Sequence, residues 1–96
     1  MSQKTRILVV DDDLNYLWMM QANLSARGYE VLTAGDGREA LELISTCWPD
    51  LVILDIQMPG MDGLTVCHCV REFSSVPIIV ASARERAWVT GTSAGC

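Results

Sequence analysis

The 96-residue chain lacks several features that mark particular classes of protein. It has no cluster of Lys or Arg and carries a net charge of −5, which argues against a nucleic-acid-binding surface. It has no apolar run near the roughly 20 residues that span a bilayer, and the apolar run at its start is too short for a signal peptide. These absences favour a cytoplasmic protein that binds neither membranes nor nucleic acid.

The four cysteines do not have the spacing of a zinc finger or a redox motif. Cys67-His68-Cys69 resembles a ligand cluster, but residues i and i+2 of a helix point about 200° apart. We therefore interpret the cysteines as free thiols that are buried or half-buried.

Half of the residues are apolar, which is enough for the core of one small domain over residues 1–96. Short apolar runs predict strands at 6–10, 29–34, 51–54 and 77–81. Helices are predicted at 14–27, with Leu14, Leu17, Trp18 and Leu24 facing inward, between the cap Asp36 and Pro49, from 62 or 65 to about 73, and at 84–94. This alternation predicts an α/β fold with a parallel sheet and right-handed crossovers.

Three of the predicted strands lead directly into polar residues. Asp11 and Asp12 follow the first strand, Asp55 follows the third and Ser82 follows the fourth. The carboxyl ends of parallel strands share one edge, and open α/β sheets bind ligands there. The sequence therefore predicts that three carboxylates and a hydroxyl converge at one place.

Carboxylates gathered in a cleft repel one another, and a hard divalent cation with oxygen ligands relieves that repulsion. Mg²⁺ fits Asp11, Asp12 and Asp55 together with a backbone carbonyl near Gln57. An Asp carboxylate is also a nucleophile toward phosphorus, and phosphoryl transfer requires mainly positioning and charge neutralisation. The Ser82 hydroxyl is suited to donate to a phosphoryl oxygen, with the small Ala83 beside it leaving the approach open.

The ordinary interpretation of an acid at a strand end is a helix cap or a solvated loop residue. We interpret Asp13, Asp36 and Asp62 in that way. Ser82 has the same alternative, as a cap of the predicted helix at 84–94. Asp11, Asp12 and Asp55 differ from these caps because they follow separate strands whose ends are predicted to meet at one edge of the sheet.

Three segments, ILVVDDD, LVILDIQMPGMDG and PIIVASA, resemble the receiver domain of bacterial two-component response regulators. The resemblance covers nearly all of residues 5–96 and implies a flavodoxin-like, doubly wound sheet in the order 2-1-3-4-5. It implies that Asp55 accepts a phosphoryl group from a sensor histidine kinase or phosphotransfer protein. It further implies that Asp11 and Asp12 hold Mg²⁺, that Gln57 gives a main-chain carbonyl to the metal, and that Ser82 contacts the phosphoryl group.

The sequence departs from the family pattern at its end. The family's fifth strand and helix, and the lysine after that strand, have no counterpart, and Lys4 is the only lysine. We therefore expect a C-terminally truncated receiver-like domain with strand order 2-1-3-4. We also expect the strand at 77–81 to be an open edge, and Val9, Ile53 and Ile79 to be uncovered, which favours a homo-oligomer or low stability.

Three functions compete. The first is a phosphoacceptor module that assists its own phosphorylation without being a true enzyme, with an output domain as a further partner. The second is a truncated pseudo-receiver that acts as a non-switching interaction module, favoured by the absent lysine. The third is a Mg²⁺-dependent phosphatase with an Asp nucleophile. Such enzymes usually carry a second acid two residues after the nucleophile, and Gln57 at that position argues against this function.

Overall fold

The computed structural model describes residues 4–55, 63–82 and 87–90, with the backbone alone described at 81, 82 and 87–90. Its elements are β1 (Arg6–Val10), α1 (Leu14–Ala26), β2 (Glu30–Ala34), α2 (Gly37–Cys47), β3 (Leu51–Asp55), α3 (Gly63–Arg71), β4 (Ile78–Ser82) and β5 (Ala87–Thr90). The strands form one sheet in the order β2-β1-β3-β4-β5. The first three pairings across it are parallel, and the β4–β5 pairing is antiparallel. The predicted α/β fold with parallel order 2-1-3-4 is therefore confirmed.

The central strand β1 supplies side chains to both faces of the sheet, because successive residues of a strand point to opposite sides. Leu8 and Val10 lie in the larger core, which also contains buried residues of α2 and α3. Ile7 and Val9 lie in a second core with Leu17 of α1. Burial on both faces explains why β1 and β3 are continuous apolar runs rather than alternating ones.

Aspartates begin the first two helices, as predicted. The Asp13 carboxylate accepts a hydrogen bond from the backbone N–H of Asn15 at 2.9 Å. The Asp36 carboxylate accepts from the N–H of Glu39 at 2.8 Å, and the Glu39 carboxylate accepts in return from the N–H of Gly35 at 2.9 Å. This reciprocal arrangement is a capping box and fixes where α2 starts.

The predicted inward face of α1 was only partly correct. Leu17 is buried and Leu24 packs against the second core, but Leu14 and Trp18 are 72% and 79% exposed. The half-buried residues Tyr16 and Met20 take the inward positions instead. The observed inward face of α1 is rotated by about one residue from the predicted one. Packing against β1 determines which face is buried.

The prediction of a helix over 84–94 was wrong at residues 87–90, which form β5. The backbone of β5 pairs with β4 so that Ala87 lies opposite Ser82 and Thr90 lies opposite Ile79. Aromatic and β-branched residues, as in the sequence AWVT, favour strands. The unpaired edge of β4 offers them hydrogen bonds. The expectation that β4 is an open edge was therefore also wrong.

The predicted exposure of the sheet face was wrong for two of its three residues. Val9 and Ile53 are 0% and 8% exposed, because α1 covers them through Leu17 and its half-buried neighbours. Ile79 is half-buried. The predicted tendency of the chain to associate stays a prediction, and the uncovered apolar surface behind it is smaller than expected.

The cysteines were also only partly predicted. Cys47 and Cys69 are free and half-buried, as expected. Cys67 is disulfide-bonded, so the interpretation of it as a free thiol was wrong. Sequence spacing alone does not reveal which cysteines meet in a fold.

Candidate functional site

Two aspartates lie side by side at the carboxyl end of the sheet. Val10 of β1 pairs with Leu54 of β3 in parallel register, and Asp11 and Asp55 are the next residues along each strand. Neighbouring strands are about 4.8 Å apart, so equivalent positions leave the sheet at the same edge and on the same face. Both aspartates are buried, at 3% and 5% exposure. The register of two adjacent strands therefore brings these carboxylates together.

Asp12 completes the group from the loop that follows β1. One carboxylate oxygen from each of Asp11, Asp12 and Asp55 lies within 4.8 Å of the other two. Asp12 is half-buried, so the group is open toward solvent on its side. The predicted convergence of three carboxylates at one edge of the sheet is therefore present in the structure.

Backbone hydrogen bonds hold the start of this loop. The N–H of Asp11 donates to the carbonyl oxygen of Ala34 at 3.1 Å, which continues the β1–β2 ladder by one residue. The N–H of Asp13 donates to the Asp11 carboxylate at 2.9 Å. Asp13 also caps α1, so the strand end, the carboxylate and the helix start are tied together. The Asp11 side chain is thus oriented before any ligand arrives.

Burial raises the pKa of the Asp11 carboxyl from 3.8 to about 6. The hydrogen bond from the backbone of Asp13 opposes this increase, while the nearby charges of Asp55 and Asp12 add to it. Desolvation and like charges both disfavour an ionised carboxylate. A bound cation removes that penalty, so the electrostatics of the group suit a positively charged ligand.

The remaining predicted site residues are Ser82, Gln57 and Ala83. Asp55 pairs with Ala81 in the β3–β4 register, so the backbone of Ser82 lies one residue further along the same edge. The hydroxyl contact of Ser82 stays a prediction. Gln57 and Ala83, predicted as a metal carbonyl and a small neighbour, lie outside the described residues. Their roles stay predictions.

Sequence reasoning missed one residue beside the carboxylates. Tyr16 of α1 is half-buried and packs against the second core. Burial raises the pKa of its hydroxyl, and the charges of Asp11 and Asp55 raise it further. The signal in the sequence was the four-residue spacing of Tyr16, Met20 and Leu24, which marks the inward edge of the helix.

The chain belongs to the response regulator receiver domain family, whose pattern matches residues 7–95. It is 46% identical over 80 residues to the probable transcriptional regulator ycf27 of Cyanophora paradoxa, covering 83% of this chain and 34% of that protein. It is 41% identical over 83 residues to the DNA-binding response regulator MtrA of Mycobacterium bovis, covering 86% of this chain and 36% of that protein. The chain thus spans about a third of the length of these curated relatives.

Solved structures show the same fold. The chemotaxis protein CheY4 of Vibrio cholerae superimposes with a TM-score of 0.78 at 33% identity, covering 86% of this chain and 75% of that one. The N-terminal domain of a response regulator receiver protein from Methanoculleus marisnigri gives a TM-score of 0.81 at 32% identity, covering 94% and 73%. The chain is therefore a receiver domain related to response regulators, the class of proteins that act in two-component phosphorelays.

Proposed function

We propose that Asp55 accepts a phosphoryl group from a phosphohistidine of a sensor histidine kinase or phosphotransfer protein. One observation carries the proposal: the side chains of Asp11, Asp12 and Asp55 meet within 4.8 Å at the carboxyl edge of the sheet. Membership of the receiver domain family supports the same reaction. An aspartyl phosphate forms when a carboxylate oxygen bonds to phosphorus.

The residues present fit Mg²⁺ as the cofactor. The group offers hard oxygen ligands, two of them on buried side chains whose charges repel. Mg²⁺ takes such oxygens together with water, and the proposed ligands are Asp11, Asp12, Asp55 and the main-chain carbonyl of Gln57. When bound, the metal supplies positive charge against the phosphoryl oxygens.

The chain's own residues carry the rest of the transfer. An Asp55 carboxylate oxygen forms a bond to phosphorus as the phosphorus–nitrogen bond of the phosphohistidine breaks, and the imidazole keeps that electron pair and takes a proton. The Ser82 hydroxyl donates a hydrogen bond to a phosphoryl oxygen. Ala83 leaves room for that group. The burial of Asp55 limits access of water, which slows hydrolysis of the product.

The partners follow from the relatives. The names of the ycf27 and MtrA proteins describe a transcriptional regulator and a DNA-binding response regulator. We therefore propose that this receiver controls an output domain and that DNA contacts belong to that domain, because this chain carries a net charge of −5. In the part of the chain that the structure describes, no helix has the length and apolar content to cross a bilayer. A cytoplasmic location agrees with these proposals.

The proposal is tested by incubating the chain with Mg²⁺ and a small acyl-phosphate donor and weighing the product. We expect a mass gain of one phosphoryl group, located at Asp55 by peptide mapping and abolished in Asp55→Asn. Asp50→Asn is the matched control, since Asp50 is an exposed aspartate at the opposite end of β3. Phosphoryl label on another residue, or none with Mg²⁺ bound, would overturn the assignment.

A non-switching interaction module is the second candidate. Lys4, the only lysine, precedes β1 and therefore lies at the end of the sheet remote from Asp55. Lys4 therefore cannot make the lysine contact to the phosphoryl group that the family resemblance implies. This candidate predicts that the chain binds Mg²⁺ and a partner kinase but gains no phosphoryl group. Steady turnover of a phosphate monoester would instead favour the phosphatase alternative.

A further inference from the structure

Tyr16 lies where α1 meets the carboxyl edge of the sheet. It stands in the first turn of the helix, whose cap Asp13 directly follows the acidic pair. The N–H of Tyr16 itself approaches the Asp13 carboxylate at 3.4 Å. Its side chain is half-buried and packs on a core that contains Val9, Ile53 and Leu17. The ring is therefore held against the sheet and not free in solvent.

The sheet beneath the ring points toward the carboxylates. Val9 and Ile53 are partners in the β1–β3 register, and Asp11 and Asp55 stand two residues further along the same strands. Residues two apart in a strand share a face, so these four side chains form one patch, apolar at one end and acidic at the other. The Tyr16 ring packs at the apolar end. The charges of Asp11 and Asp55 act on its hydroxyl, which therefore lies on the side of the acids.

In that position the Tyr16 hydroxyl can donate a hydrogen bond to an acceptor at the acidic site. Carboxylates only accept hydrogen bonds, whereas a phenol donates one. A tyrosine hydroxyl has an ordinary pKa of about 10, so it keeps its proton at neutral pH and stays a donor. A phosphoryl group on Asp55 adds further acceptor oxygens beside it. The chain's one lysine lies at the other end of β1, so it cannot supply this contact.

We infer that Tyr16 is a phosphoryl-binding residue of the acidic site, whose hydroxyl donates a hydrogen bond to an oxygen of the phosphoryl group on Asp55. The inference rests on the proposed function, since it requires a phosphoryl group at Asp55. It assigns to α1 a neutral donor that strengthens phosphoryl binding without adding charge. Metal binding depends on the three carboxylates and not on Tyr16.

The test uses beryllium fluoride, which mimics a phosphoryl group on a carboxylate, and compares the chain with its Tyr16→Phe variant. Phenylalanine keeps the ring packing and removes only the hydroxyl. With Mg²⁺ saturating, calorimetry should show beryllium fluoride binding about tenfold more weakly to Tyr16→Phe, the effect of one hydrogen bond to a charged group. Fluorine NMR should show one bound resonance shifted, and Mg²⁺ affinity measured alone should change less than about twofold.

Tyr29→Phe is the matched control, because Tyr29 is partly exposed and directly precedes β2 at the opposite end of the sheet. It should bind beryllium fluoride as the parent chain does. Unchanged binding by Tyr16→Phe, or an equal loss of Mg²⁺ affinity, would overturn the inference. Failure of the parent chain to bind beryllium fluoride would instead overturn the proposed function, so the two failures are distinguishable.

Discussion

The two ends of the sheet differ in how their charged side chains are arranged. At the amino end, the backbone N–H of Arg6 donates to the Asp50 carboxylate at 2.8 Å. The Arg6 guanidinium donates to the carbonyl oxygen of Cys47 and forms an ion pair with Glu30 at 3.4 Å. At the carboxyl end, three carboxylates of the same sign are gathered instead. Opposite charges attract one another at the first end, whereas like charges repel one another at the second.

This difference separates a structural charge cluster from the one that we propose to be functional. The amino-end groups are largely solvated, with the Arg6 and Glu30 side chains 38% and 47% exposed, so each contact adds little. Asp11 and Asp55 are almost fully buried, so their mutual repulsion costs more. Folding therefore stores unfavourable electrostatic free energy at the carboxyl end, and binding of the proposed cation would release it.

The largest expected effect comes from Asp11→Asn. Asp11 is a proposed ligand, and loss of its buried charge should weaken Mg²⁺ binding at least about 100-fold, the upper end of what outer-shell changes cost. The same variant should melt at a higher temperature in the absence of metal, because a buried like charge is gone. Calorimetric titration and thermal melts in a chelator measure the two effects.

Asp50→Asn at the other end serves as its control. It should leave Mg²⁺ affinity unchanged and lower the free energy of unfolding by about 1 kcal/mol, through the weakened bond from Arg6. If both variants change metal affinity equally, the contrast between the two ends is wrong.

The pH dependence of stability should be next in size. The pKa of Asp11 is raised from 3.8 to about 6 on folding, so the folded state binds a proton more tightly than the unfolded chain. The resulting stabilisation is complete below about pH 4 and is lost as the pH rises through about 6, on the order of 2 kcal/mol. Melting temperatures recorded across this range in a chelator should fall accordingly.

Saturating Mg²⁺ should remove this loss, because metal binding requires the ionised carboxylates and strengthens as the pH rises. Asp11→Asn should show no such fall in the chelator. A melting temperature for the parent chain that rises between pH 4 and 6 without metal would contradict the assignment of a raised pKa.

The smallest effects should come from the amino end. Arg6→Met keeps the apolar stem but removes the guanidinium bonds, which should cost about 1 kcal/mol of unfolding free energy. Glu30→Gln should cost less than about 1 kcal/mol and nothing measurable at high salt. Neither should alter Mg²⁺ affinity, and chemical denaturation with a metal titration checks both. A large metal effect from either variant would show that the two ends are coupled.

The sequence was sufficient for the parallel sheet and for the acidic group. Apolar runs ending in Asp11 and Asp55 mark two buried strands, and parallel strands share their carboxyl edge, so local pattern and topology lead to one answer. Helix caps at Asp13 and Asp36 were predictable for the same reason, since the capping contacts are local.

Other features depended on tertiary contacts that no local pattern contains. Residues 87–90 follow helix-forming residues in the sequence, and pairing with the edge of β4 decided their conformation. Leu14 and Trp18 continue the apolar pattern of α1 but face outward, because Tyr16 and Leu17 fill the space over β1. Tyr16 was not predicted as a site residue because Tyr16 and Asp55 are far apart in the sequence and come together only in the fold.

The parallel pairing of Val10 with Leu54 also limits how the chain can vary. Insertion of one residue inside β1 would turn Asp11 toward α2 and α3 while Asp55 stayed on the α1 side, since strand side chains alternate. The loops at the amino end carry no such restriction. Length changes should therefore be tolerated between elements but not inside the two strands that share the carboxylates.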